Sequence, residues 1–172
     1  MSAVPPANNL PTGRDPAEDY RRKTQHEASS LARRMKKAGH PPPLGDPAGG
    51  VVLVVEQPVG PRLLEAIGAS LRAVGLPDAY VTYASTGLLE ATLLAADPQL
   101  LVAIGPGAAR DIDDVGYSLA RNSFSEAEEG IPFAWTRGAT GLRLPPLAPA
   151  LDDEESKRRF WRGFLALKNL AP

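Results

Sequence analysis

Two uninterrupted apolar runs, Val51-Val52-Leu53-Val54-Val55 and Leu100-Leu101-Val102-Ala103-Ile104, dominate the hydrophobic pattern of this chain. Neither alternates with polar residues, so each suits a strand buried on both faces, as in a parallel sheet covered by helices. The first ends in Glu56-Gln57-Pro58-Val59-Gly60 and the second in Gly105-Pro106-Gly107. Between them, Leu63, Leu64, Ile67, Leu71 and Val74 fall at helical spacing and predict a helix from Arg62 to Val74. Gly75-Leu76-Pro77-Asp78 ends it and leads into a strand over residues 79–83. A second helix, Leu88 to Ala96, closes at Asp97-Pro98, and a short third helix is predicted over Ala108 to Val115. Residues 116–130 are polar and acidic and read as a surface loop. Ile131 to Thr136 predicts a fourth strand, with Pro132 at its first residues or on an edge, and Leu142-Arg143-Leu144 is a candidate fifth. Asp152 to Leu170 predicts a closing helix with acids in its first turn, Lys168 near its end, and Phe160, Trp161, Phe164 and Leu165 facing the core.

The alternation of strands and helices predicts an α/β fold: a three-layer α/β/α sandwich on a mainly parallel four-stranded sheet, spanning residues 51–172. Residues 1–50 form a separate unit, a flexible basic arm carrying one helix. Its first sixteen residues include Pro5-Pro6, Asn8-Asn9, Pro11 and Gly13 and are expected to be loosely attached. Asp15-Pro16 then supplies a capping acid and a proline at the first helical position. The helix is expected to run to Ala38, where Gly39 and Pro41-Pro42-Pro43 stop it. Leu31 and Met35 are its main apolar anchors, so weak docking is expected.

Composition narrows the chemistry. With 43% apolar and 23% charged residues the chain is an ordinary globular sequence. It has no cysteine, which removes disulfides, thiolate zinc sites, cysteine nucleophiles and cysteine-ligated iron–sulfur clusters. No apolar run approaches the roughly 20 residues of a membrane helix, and the amino terminus lacks the order of a signal peptide. A cytoplasmic, membrane-free protein without cofactor or metal is expected. The net charge of −1 conceals an asymmetry: residues 1–50 hold eight Lys/Arg against five Asp/Glu, the remainder eleven against fifteen. Arg21, Arg22, Lys23, Arg33, Arg34, Lys36 and Lys37 form the basic set of the arm, and Lys157, Arg158, Arg159 and Arg162 a second set on the closing helix. Either could attract DNA, RNA or another polyanion, or be a solvated helix face.

Parallel sheets bind ligands beyond the carboxyl ends of their strands, so Glu56, Gln57, Tyr83, Gly105 and Gly107 mark a candidate ligand-binding crevice. Glu56 is the best-placed carboxylate for a general base. The Gly105-Pro106-Gly107 turn could present backbone N–H groups to an anion, although Pro106 lacks a donor and neither a GxGxxG spacing nor a P-loop lysine follows. Both histidines, His26 and His40, lie in the arm, which argues against Ser-His-Asp hydrolysis in the body. Asp111, Asp113 and Asp114, and Glu126, Glu128 and Glu129, read as solvated acids without the pattern of a calcium loop.

The order of segments over residues 51–170 resembles the uracil-DNA glycosylase superfamily, most closely its compact bacterial and archaeal iron–sulfur branch. Glu56-Gln57-Pro58 after the first strand is similar to that family's Gly-Glu-Ala-Pro-Gly type of motif. Leu63-Leu64-Glu65-Ala66-Ile67-Gly68 and Tyr80-Val81-Thr82-Tyr83 resemble its next helix and strand. Asp97-Pro98-Gln99-Leu100-Leu101-Val102-Ala103-Ile104-Gly105 with Ala108-Ala109 resembles its proline, strand, glycine and alanine pair, and Lys157-Arg158-Arg159-Phe160-Trp161 its terminal helix. The resemblance implies a DNA-repair lineage in which the family cleaves the glycosidic bond of a flipped base. Its chemical groups are missing. The loop after the first motif is shortened to Val59-Gly60-Pro61, and Tyr83 stands where an asparagine would pair with uracil. Leu144-Pro145-Pro146-Leu147 lies in the stretch that should carry a histidine-proline-serine motif, and the cluster cysteines are absent. The expectation is a non-catalytic, nucleic-acid-binding or repair-associated relative. Two alternatives remain: a small-ligand binder or hydrolase using Glu56 and the Gly105–Gly107 turn, or an adaptor for a protein partner.

Overall fold

A computed structural model describes residue 13 and residues 15–170; the prolines and asparagines of the first twelve residues lie outside them. The sheet strands are β1 (Val51–Val55), β2 (Tyr80–Tyr83), β3 (Leu100–Ile104), β4 (Phe133–Thr136) and β5 (Ala139–Leu144). The helices are α1 (Pro16–Lys37), α2 (Pro61–Ala73), α3 (Leu89–Ala96), α4 (Pro106–Asp114) and α5 (Glu154–Phe164). Strand order across the sheet is β2-β1-β3-β5-β4. The first four in that order are parallel, with Val51 opposite Leu100 and Leu100 opposite Thr140, and β4 runs antiparallel on the outside.

Among the described residues the sheet therefore has five strands, not four. The strand undercounted in the sequence is β5, a full parallel partner of β3, and Gly141 is what disguises it. Phe133 of β4 lays its ring over Gly141, with Cζ 2.5 Å from where a Cβ would stand. A residue that reads as a strand breaker is the one that admits the cross-strand ring.

Period-two alternation divides the buried strands between two cores. Val51, Leu53 and Val55 join Ile67 and Leu71 of α2 with Phe160 and Phe164 of α5 on one face. Val52 and Val54 join Leu89 and Leu93 of α3 with Ala108, Ala109 and Ile112 of α4 on the other. The three layers follow from that division.

The closing helix departs from the expectation. It is α-helical only to Phe164 and continues as a tighter 3₁₀ segment, Leu165–Asn169. Trp161 and Leu165 are 37% and 43% exposed, while Leu167 is buried. Phe160, Gly163 and Phe164 fill the narrow stripe that α5 turns inward, and Trp161 lies about a sixth of a turn outside it.

Helix α1 starts as its sequence dictates, with Asp15 accepting from Ala17 N at 3.0 Å and Pro16 opening the first turn. It packs on α3 through Ala28, Leu31 and Met35, the last wholly buried. The segment after it also joins the body: Leu44 and Val81 exchange hydrogen bonds of 3.1 and 2.8 Å on the outer edge of β2. Among the described residues no helix is long and apolar enough to cross a membrane.

Candidate functional site

The chain leaves β1 through α2 to reach β2 on one side, then returns through α3 on the opposite face to reach β3 on the other. Strand order thus reverses between β1 and β3, and the crevice beyond their carboxyl ends is the place where such sheets take ligands. Glu56-Gln57-Pro58 follows β1 there, a 3₁₀ turn Ala84–Thr86 follows β2, and Gly105 follows β3 with φ 90°. Two backbone bonds fix these turns: Ser85 N donates to Glu56 O at 2.9 Å, and Gly105 N to Leu144 O at 2.9 Å.

Glu56 is exposed and carries no ion pair among the described residues. Its carboxylate lies directly against Gly107 in the first turn of α4, where any Cβ would overlap it. A negative group suits the positive end of a helix. The turn that could hold an external anion thus already faces the chain's own carboxylate, and an incoming phosphate would meet its repulsion. Pro146 closes the other side, 3.6 Å from the position of a Cβ on Gly105. One turn along α4, burial raises the Asp111 carboxyl above the ordinary carboxylate range, with Glu56 and Asp114 adding to the effect and Arg110 opposing it.

The remaining crevice candidates separate. Gln57 is exposed at the rim. Tyr83 is only 2% exposed and belongs to the α2/α5 core, where burial raises its phenol. His26 and His40 belong to α1 and the turn beyond it, so no histidine reaches the crevice. Among the described residues no group of three or more His, Asp or Glu side chains could hold a metal ion.

The basic candidates are not one surface. In α1, Arg22 pairs with Glu18 at 2.8 Å and Lys23 with Glu27 at 3.9 Å, while Arg21 reaches across to Asp46. Arg33, Arg34, Lys36 and Lys37 are exposed toward the end of α1, without ion pairs among the described residues. Because α1 covers α3 and α5 covers the opposite face, the two basic sets lie on opposite sides of the sheet.

On α5, Arg159 forms a two-pronged pair with Glu129, Nε to Oε2 at 2.6 Å and the second nitrogen to Oε1 at 2.5 Å. It is thus tied down. Lys157, Arg158 and Arg162 stay exposed around Trp161, whose ring stacks on Phe164 with centroids 6.1 Å apart and planes 10° from parallel.

The chain matches no protein-family model and no curated protein.

Two roles had no signal in the sequence. Asp113, read as a solvated acid, accepts from Phe124 N at 2.7 Å and Ser125 N at 2.9 Å and so anchors the acidic loop. Arg143 donates to Ser125 O at 2.9 Å and fastens the same loop to β5. These are pairings between distant segments, which spacing along the chain does not encode.

Proposed function

We propose that this protein is a non-catalytic nucleic-acid-binding module of uracil-DNA glycosylase-like descent, acting through the exposed face of α5. The observation that carries this reading is Trp161, 37% exposed and set among the exposed Lys157, Arg158 and Arg162. Lys157 and Trp161 are four residues apart, as are Arg158 and Arg162, so the two rows adjoin on one helix surface. Phe164 backs the indole and holds it as a flat platform. A base can stack on such a ring while the neighbouring cations follow the phosphates, which is how single strands are held without sequence preference. The lack of a histidine near the crevice supports a binding role over base excision, as does Glu56 lying against Gly107.

Fluorescence anisotropy with plain and uracil-containing DNA, single-stranded and duplex, tests this across a salt series. Single strands should bind most tightly, and affinity should fall steeply with salt. Trp161→Ala should weaken single-strand binding by about 1–3 kcal/mol. Neutralising Lys157, Arg158 and Arg162 to Gln should reduce the salt slope by about 2. Release of uracil from the same samples would overturn the non-catalytic reading, and unaltered binding by the triple variant would remove α5 as the surface.

A further inference from the structure

At the amino-terminal end of the parallel strands, opposite the crevice, lies a cavity of about 620 Å³. We propose that it binds a small oxyanion-bearing molecule, its phosphate or carboxylate held by Arg121 and Arg137. The volume falls in the range of about 300–1,000 Å³ typical of small-molecule sites. Its walls come from α1, from the turns before β1 and β3, from the β4–β5 turn and from the loop after α4, so it is a product of the fold rather than of one segment.

The segment carrying Arg121 is fixed at its backbone. Arg121 N donates to Trp135 O at 2.7 Å and the Asn122 side chain to Ala134 O at 2.7 Å, which stitches this loop along β4. Arg137 follows immediately in the turn that ends β4, so two exposed arginines from adjoining segments line one cavity. Beneath them the floor is continuous backbone: Gln99 N donates to Gly50 O at 2.9 Å, and Thr140 N to Gln99 O at 2.8 Å. Neither guanidinium forms an ion pair among the described residues, whereas Arg21, Arg22 and Arg159 each have an acid in contact. Two arginines lining one concave site, neither engaged by an acid, are available to an oxyanion. Guanidinium forks match the planar and tetrahedral faces of carboxylate and phosphate.

The cavity is also lined by Asp97, the only non-glycine residue at positive φ (43°) among the described residues. Tyr20 of α1 donates to its Oδ2 at 2.9 Å and holds it there. Asp97 lines the same cavity as the two arginines, so the site offers one acceptor besides its cations.

Amide NMR titrations with inorganic phosphate and with succinate, at ionic strength held constant with chloride, test the assignment. Either oxyanion should move the amides of Gln99, Arg121, Gly138 and Ala139 in a saturable way, and the stronger of the two identifies the headgroup. The Arg121→Gln/Arg137→Gln variant should bind about tenfold more weakly or worse, as loss of charge-assisted hydrogen bonds requires. The proposal fails if neither anion moves those amides in the wild-type chain, or if chloride moves them equally. It also fails if the folded double variant responds as the wild type does.

Discussion

Individual residues explain both what the crevice is and how it would respond to change. Gly107 and Gly45 each leave no room for a Cβ, but for different reasons. At Gly107 the obstacle is the end of the Glu56 side chain, which is exposed and can swing away. Gly107→Ala should therefore change stability by less than about 1 kcal/mol, since alanine also favours the helix. At Gly45, with φ 89°, the obstacle is the Ala79 carbonyl, which is backbone. Gly45→Ala should destabilise by roughly 2–4 kcal/mol, from strain and overlap together, and paired thermal melts separate the two cases. The sequence marked Gly105–Gly107 as a seat for an anion. It could not indicate that Glu56, from the neighbouring strand end, lies against that seat. Removing that charge in Glu56→Gln should lower the Asp111 pKa, because Glu56 contributes to its elevation, and a carboxyl NMR titration reads the change directly. Tyr80 offers a second titration, at high pH. Burial pushes its phenol up to about 12 from 10.0. The folded state then holds a proton that the unfolded chain has released, so stability is intact below about pH 10 and declines as pH rises toward 12. Denaturant melts across that window should show a decline of which roughly 2–3 kcal/mol, at about 1.4 per pH unit, is missing in Tyr80→Phe. Tyr83, whose phenol burial also raises, keeps a residual decline in that variant.

Secondary-structure elements were legible where burial alone decided them. The runs Val51–Val55 and Leu100–Ile104 are the observed strands residue for residue, because a strand buried on both faces leaves an unbroken apolar signature. Legibility fell where a neighbour made the decision. β5 contains a glycine because Phe133 fills its place, and the closing helix changes winding at Leu165. Helix α1 lies between these cases. Its caps and its anchors, Leu31 and Met35, were readable, but the depth of its contact depended on α3. A wholly buried methionine is a large share of so narrow a stripe. Met35→Ala should cost about 2–5 kcal/mol. Hydrogen exchange should then show α1 amides opening ahead of the sheet, since the helix would have lost its main hold while the two cores stay intact. Uniform loss of protection across the chain would instead mean that α1 and the sheet unfold as one unit.

For the molecule as a whole, the decisive fact is where the fold puts its charge. The sequence offered two basic sets that could have merged into one nucleic-acid track. The topology sends α1 to one face of the sheet and α5 to the other, and ion pairs to Glu18, Glu27, Asp46 and Glu129 engage several of the cations. A short single strand held by the α5 face would have to round the edge of the sheet to reach Arg33, Arg34, Lys36 and Lys37. Charge neutralisation should therefore be asymmetric. Changing Lys157, Arg158 and Arg162 to Gln should remove most of the salt dependence for a strand of about eight nucleotides, within the footprint of roughly 4–16 expected of one compact binding domain. Changing Arg33, Arg34, Lys36 and Lys37 to Gln should leave that slope nearly unaltered, because exposed charges farther apart than a Debye length of about 8–10 Å are screened from each other. With much longer strands, which can wrap the edge, the second set should begin to contribute, and its share should rise with strand length. If the α1 variant lost affinity for the short strand as fully as the α5 variant, the two faces would be acting as one surface. The nucleic acid would then have to cross the β2 or β4 edge of the sheet rather than lie along α5.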